Sequence, residues 1–275
     1  MKYSSVQTHP FAAVGRWIHE SQRRNFMKYL SIAAAAAAAT STPASAQVVE
    51  VTPPESMQRS APALADYTKN TLFGDVWQRE ELSLRDRSFV TITTLVALGK
   101  TDPLRSHINR GLDYGVTPVE IAGIITHLAF YTGWPNAVGS IAVADEVFAE
   151  RGIDASELQT IETERVALPS DDDQRAQGVE QSMGPISPAL AKYTNGVLFQ
   201  DLWRRGDLSA RDRSLATVVA LTANGNADQL GFHLQRGIQN GLTRDELGEV
   251  MGHMAFYAGW PKAFSGANAI GDLED

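Results

Sequence analysis

The chain has 275 residues, with 24 Lys plus Arg against 32 Asp plus Glu and no cysteine. That length gives room for one large core or two small ones, and the missing thiols exclude disulfide scaffolds, thiolate metal sites and cysteine nucleophiles. A net charge of −8 is opposite to the basic footprint of a phosphate-backbone binder, so no nucleic-acid partner is expected.

Residues 1–46 read as an export signal of the twin-arginine type. Arg23-Arg24 precede Phe26 and Lys28, an Ala-rich apolar stretch runs from Tyr29 to Ala39, and Ala44-Ser45-Ala46 supplies a small-residue cleavage site. The apolar stretch falls short of the roughly 20 residues that a spanning helix needs, so no stable membrane anchor is expected once it is removed. Met27 also fits as the start of a shorter, general secretory signal. Either route predicts a periplasmic or secreted protein beginning at Gln47, with its net charge moved from −8 to −12.

Residues 47–153 read as a first helical module. Ser83 to Asp86 forms a capping-box pattern, with the Ser hydroxyl toward the third helical N–H and the acid reaching back. The helix continues through Phe89, Ile92, Leu95 and Val96 at helical spacing and stops at Gly99. A second helix is expected from about Pro103 to Tyr114. Thr117-Pro118-Val119-Glu120 opens a third, with Thr as cap, Pro at the first helical position and Glu closing the box. Pro135 starts a fourth that reaches Arg151 and Gly152. No alternating strand or Asn-Gly hairpin signal occurs, so the fold class is all-α.

Residues 154–187 carry Asp171-Asp172-Asp173, Pro169, Gly178 and Pro185, and read as a helical tail followed by an acidic linker with a solvated surface. Residues 188–275 then repeat the first module. Pro62-Ala63-Leu64-Ala65 returns at Pro188, Leu82 to Ser88 at Leu208, and His127 to Pro135 at His253, each offset by 126 residues. Aligned without a gap, 37 of 81 positions are identical, more than shared composition would give, so the chain is a tandem duplication.

The series Leu82-Ser83-x-Arg85-Asp86-Arg87-Ser88, His107-x-x-Arg110-Gly111, Gly115-x-Thr117, Glu120 and Tyr131-x-Gly133-Trp134-Pro135 resembles the carboxymuconolactone decarboxylase family, of the alkyl hydroperoxidase D-like superfamily. The resemblance covers nearly all of both repeats. It implies a helical fold, cofactor-free decarboxylation in the named enzymes, and rings of subunits, which three fused chains would rebuild as a trimer. Thiol peroxidases of the superfamily carry Cys-x-x-Cys ahead of the motif histidine. Lys100 and Pro103 stand there in the first copy, and Asn226 and Gln229 in the second, which removes that chemistry. The Arg-rich stretch that the decarboxylases tend to carry before the first long helix is matched poorly by Glu55 to Ser60 and by Glu180 to Gly184, so the substrate is expected to differ from carboxymuconolactone.

His107 and His233 match the motif histidine, and each has an arginine three residues on, Arg110 and Arg236, that shares its helix side. Arginine can anchor a carboxylate and histidine can supply a proton near neutral pH, the two needs of a decarboxylation. Glu120, His127 and Tyr131, repeated as Glu246, His253 and Tyr257, lie on one helix face and form a second proton-handling set, with a capping acid and a packed interface histidine as the alternative roles. Arg87 and Arg213 either anchor an anionic substrate or pair with Asp86 and Asp212. The matched aromatics Trp77, Trp134, Trp203, Trp260, Phe73, Phe130, Phe199 and Phe256 are expected in the core or a subunit interface. The His107 to His127 spacing gives no ligand pair on one helix face, so no metal is expected, and the resemblance implies no cofactor. The expected activity is that of an exported, cofactor-independent lyase or isomerase acting on a small carboxylated lactone or related organic acid. The alternative is a non-catalytic ligand-binding or assembly protein on the same scaffold.

Overall fold

The computed structural model describes residues 50–158 and 164–273, which belong to one compact unit. The expected signal segment lies outside the described residues.

The first module opens with two short helices, α1 (Glu55–Ser60) and α2 (Pro62–Asp66), the latter continuing as a π-helical stretch, Tyr67–Phe73, and then a 3-10 turn, Val76–Gln78. Four longer helices follow: α3 (Leu84–Ala97), α4 (Thr101–Asp113), α5 (Pro118–Thr132) and α6 (Trp134–Arg151). The linker contributes a 3-10 turn, Ala155–Leu158, and α7 (Asp172–Met183). The second module repeats the plan with α8 (Pro188–Tyr193), a π-helical stretch, Thr194–Phe199, a 3-10 turn, Leu202–Arg204, and then α9 (Ala210–Asn224), α10 (Leu230–Gln239), α11 (Arg244–Ala258) and α12 (Trp260–Gly271). The described residues form helices and turns, with one isolated bridge between Arg165 and Arg205.

Local chemistry sets most of these ends. Thr117 and Thr243 each form a complete capping box with Glu120 and Glu246. At Ser83 and Ser209 only half the expected box forms: the hydroxyl accepts the N–H of Asp86 or Asp212, while both carboxylates turn toward arginines instead of reaching back. Gly133, at φ 88°, makes the sharp turn between α5 and α6, a conformation that L side chains rarely adopt.

Helices α3 and α9 form the centre. Every residue from Asp86 to Ala97 and from Asp212 to Ala223 is buried, because each of these helices packs on its own module and on the other. Helix α3 lies against α9 and α11, and α9 lies against α3 and α5. Phe89, Ile92, Leu215 and Val218 are fully inaccessible, and burial of such side chains stabilises the fold by about 1.5–3 kcal/mol each. The same crossing brings histidines of one module beside residues of the other.

Candidate functional site

Two composite sites result, related by the internal repeat. In the first, Trp77 from its 3-10 turn is fully buried, and its Nε1–H donates to the Tyr257 hydroxyl at 2.9 Å, linking the modules. The His107 ring, from α4, stacks near Trp77 at 6.3 Å and meets the Tyr257 ring edge-on at 5.5 Å. Arg110, one turn further along α4, lies over the faces of Phe73 and Trp77 at 4.6 and 5.3 Å. Among the described residues no carboxylate pairs with it.

The second site repeats the aromatic frame. Trp203 Nε1–H donates to the Tyr131 hydroxyl at 2.8 Å, and His233 stacks near Trp203 at 5.8 Å and meets Tyr131 edge-on at 5.6 Å. Its arginine is differently placed. Arg236 turns toward Phe232 and makes a bidentate ion pair with Asp171, at 3.0 and 3.2 Å. Over Phe199, in the place that Arg110 takes over Phe73, lies Arg175 of α7, at 3.8 Å.

Behind each site a histidine of the partner module is locked by a threonine. Thr217 donates its hydroxyl to the Arg213 carbonyl at 2.9 Å, so it must accept from His127 Nε2–H at 2.7 Å. That leaves His127 Nδ1 as an acceptor, and Arg213 Nη1 sits 3.3 Å from it. Thr91 and His253 repeat the arrangement at 2.8 Å, but His253 Nδ1 has no partner. His127 and His253 therefore brace Thr217 and Thr91, the packed interface role.

Burial, with the nearby Arg110 cation second, pushes His107 down to about 3, and burial with Arg236 takes His233 down to about 4. His127 and His253 are held well below the usual range by burial and then by Arg213 and Arg87. All four rings are therefore neutral near pH 7. Burial also pushes the Tyr257 phenol up to about 12, and Tyr131 upward likewise, so both keep their protons.

The buried guanidiniums are neutralised from different directions. Arg87 is fully inaccessible and pairs with Glu249 of α11 at 2.8 Å and with the Arg79 carbonyl at 2.7 Å. Arg213 pairs with Asp207 of its own module at 2.7 Å and with the Arg205 carbonyl at 2.6 Å. Neither pairs with Asp86 or Asp212; each is held instead by a carboxylate and a backbone carbonyl. The counterpart of Glu249 is Gly123, where an added Cβ would stand 2.9 Å from Leu208 and 3.3 Å from the Asp207 carbonyl. Asp207 supplies the charge at that point, and only glycine leaves it room.

Glu120 and Glu246 are not at the aromatic sites. Seven residues from His127 and His253, or about 10 Å along a helix, they cap α5 and α11 and join a cluster across the seam: Arg85 contacts Asp86, Glu120 and Asp212, and Arg211 contacts Asp212, Glu246 and Asp86, at 2.5–3.2 Å. Burial opposes the charge of Glu246, but the Thr243 backbone N–H and Arg211 outweigh it and hold that carboxyl below its usual range. The aromatics divide as well. Trp77 is fully buried, as expected of a core residue, and frames the first site as half-buried Trp203 frames the second, while Trp134 and Trp260 are more than half exposed. Residues Thr91 and Thr217 were absent from the sequence-based set although both repeats carry them, which was the available signal. Glu249 left no such trace, because its counterpart is glycine. Among the described residues no group of three His, Asp or Glu converges as a metal cage would.

The sequence pattern of the carboxymuconolactone decarboxylase family matches residues 62–146 and again 188–272. The 4-carboxymuconolactone decarboxylase of Acinetobacter baylyi is 41% identical over 81 residues, 30% of this chain and 60% of that protein. The nitrosuccinic acid decarboxylase of Metarhizium robertsii is 30% identical over 74 residues, 27% of this chain and 52% of that protein. The chain thus spans between half and three fifths of the length of these relatives.

Proposed function

Because the chain belongs to the carboxymuconolactone decarboxylase family, we propose that it is a cofactor-independent carbon–carbon lyase or isomerase acting on a small carboxylated lactone or related organic acid. The observation that carries this is the composite first site, in which Arg110, without a described carboxylate partner, lies on the same helix side as His107, while Tyr257 arrives from the other module. Decarboxylation needs a cation for the substrate anion, an apolar surround as the carboxylate becomes carbon dioxide, and a proton for carbon.

Arg110 holds an acid group of the substrate, and the Trp77 and Phe73 faces exclude water around it. As the bond to the departing carboxylate breaks, its electron pair passes into the conjugated system, carbon dioxide leaves and a proton returns to carbon. His107 is neutral at rest because of burial and the Arg110 cation; an anion bound on Arg110 offsets that cation and favours the protonated ring. The Tyr257 hydroxyl, polarised by the Trp77 N–H, orients the substrate oxygen. Purified protein should release carbon dioxide from, or isomerise, at least one member of a panel of unsaturated lactone acids and keto acids. The absence of turnover across the panel would reject the reading.

The Arg23-Arg24 motif and the Ala44-Ser45-Ala46 box support export. Replacing Arg23-Arg24 with Lys-Lys should trap the precursor inside the cell; normal export of that variant would instead assign the general secretory route. Assembly into a trimer of chains is supported by matching ring pairs on the two modules, exposed Trp134 against Phe130 and exposed Trp260 against half-buried Phe256, which would let one chain's first module meet the next chain's second. Light scattering returning a single-chain mass at micromolar concentration would reject it.

A further inference from the structure

The linker does not simply lie on the surface as an acidic run. Arg165 bonds Asp201 at 2.9 Å, and the Val166 N–H donates to the Arg204 carbonyl while Arg204 Nε–H donates to the Val166 carbonyl, both at 2.8 Å. These contacts strap the linker to the turn that carries Trp203. Further on, Asp172 is buried and bonds Arg175 at 2.7 Å and Gln200 at 3.1 Å, and Arg175 also reaches Asn195 at 3.0 Å. Asp171 completes the set with its two-oxygen grip on Arg236.

Over positions 45–61 only Ser56-Met57 match their counterparts, Ser182-Met183, at the offset of 126, so the repeat proper does not reach the linker. Counting back from Asp171, Asp172 and Arg175 finds Ser45, Ala46 and Val49, none of them charged. Among the described residues the first copy holds no counterpart of the carboxylate on Arg236, and the cation over Phe73 is Arg110 itself. Around the second site Asp171, Asp172, Arg175 and Arg236 cancel one another. Around the first, among the described residues, Arg87 is paired with Glu249 and Arg110 has no carboxylate partner.

We propose that the two sites have diverged into one carboxylate-binding site per chain, seated on Arg110, and one site in which the linker's Asp171 takes the substrate carboxylate's place on Arg236. The bidentate Asp171–Arg236 pair is the contact that a substrate acid would make with Arg110. The proposal rests on the acid-binding reading of the first site and adds to it which copy works and why the other does not.

Calorimetric titration of the full chain with cis,cis-muconate, an unsaturated diacid, tests it without reference to turnover. Wild type should bind one equivalent per chain. Arg110→Gln should bind none, Arg236→Gln should still bind one, and Asp171→Ala should bind two. Melting curves beside each titration separate lost binding from lost folding, and the gain in Asp171→Ala does not depend on any variant losing function. Two equivalents on wild type, none on wild type, or no gain in Asp171→Ala would each overturn the proposal. If one muconate binds at Arg110 but no lactone acid is turned over, the lyase reading fails while the site assignment stands. If turnover is found and Arg236→Gln lowers it as much as Arg110→Gln, the asymmetry fails and the lyase reading stands.

Discussion

The two aromatic sites share a frame and differ in charge. Both set a tryptophan N–H on a tyrosine hydroxyl of the other module, with a buried histidine beside the pair. Among the described residues the first leaves its arginine over aromatic faces alone, whereas the second binds its arginine to a linker carboxylate. The buried guanidiniums behind them differ again, one neutralised by Glu249 across the seam and the other by Asp207 within its module. Duplication thus kept the groups that build the frame and released those that set its charge, which is what is expected when one copy suffices for the chemistry.

The largest effect is expected in acid. His107, His127, His233 and His253 are buried and neutral in the folded chain, whereas unfolded histidines take up a proton as pH falls through about 6.5. Their folded values are depressed, so their contribution to stability is complete above about pH 6.5 and is lost progressively as pH falls toward about 3 for His107 and about 4 for His233. At roughly 1.4 kcal/mol per proton and pH unit, the four together should remove on the order of 5 kcal/mol by pH 5.5. Urea midpoints at pH 7.5 and 5.5 measure this, and replacing His107 and His253 together with glutamine should remove about half of the difference. A midpoint that does not move between those pH values would show that these rings are protonated in the fold.

Turnover sharpens the comparison next. His107→Gln should lower kcat/KM by about 10²–10⁴, the usual range for a lost proton-handling group, while His233→Gln should change it less than about twofold, since its site holds the linker. Equal losses would make the sites equivalent.

The charge exchange across the seam predicts a smaller, structural effect. Burial opposes the charge on Glu249, yet Arg79 and Arg87 hold its carboxyl below the usual range. Glu249→Ala strips the fully buried Arg87 of its carboxylate and should cost about 3 kcal/mol, the low end for breaking a buried pair, because Glu249 keeps some solvent contact. Gly123→Ala should cost about 2 kcal/mol by overpacking against Leu208. Denaturant curves that give less than about 0.5 kcal/mol for Glu249→Ala would mean that the Arg79 carbonyl suffices to hold Arg87.

Much of the scaffold was legible in the sequence, because capping residues, stop glycines and 126-residue repetition are local signals. The paired histidine and arginine positions were legible by the same route. Hidden features depended on partners remote in sequence. Glu120 shares a helix face with His127 and Tyr131, but face says nothing of height along the axis, and Arg85 claims it at the seam. The aspartate run looked like a solvated surface because Arg236, the partner of Asp171, lies 65 residues further on, while the i,i+3 pair of Asp172 and Arg175 alone did not show that the fold would bury it. Glu249 was invisible to repetition because the second charge solution put glycine at its counterpart.

The finest difference lies in the two interface histidines. His127 Nδ1 accepts from Arg213 Nη1, while His253 Nδ1 and Arg87 Nη1 both lack partners. A phenylalanine at either position fills nearly the same volume and deprives one threonine hydroxyl, Thr217 or Thr91, of its N–H donor. Only His127→Phe also strips a bond from a buried guanidinium. It should therefore be the more destabilising by about 1 kcal/mol, the net worth of one such bond. The two variants compared by urea unfolding at pH 7.5 differ in that contact alone, since the threonine loss is common to both. Equal midpoints would mean that the 3.3 Å approach contributes nothing and that Arg213 is held by Asp207 and the Arg205 carbonyl.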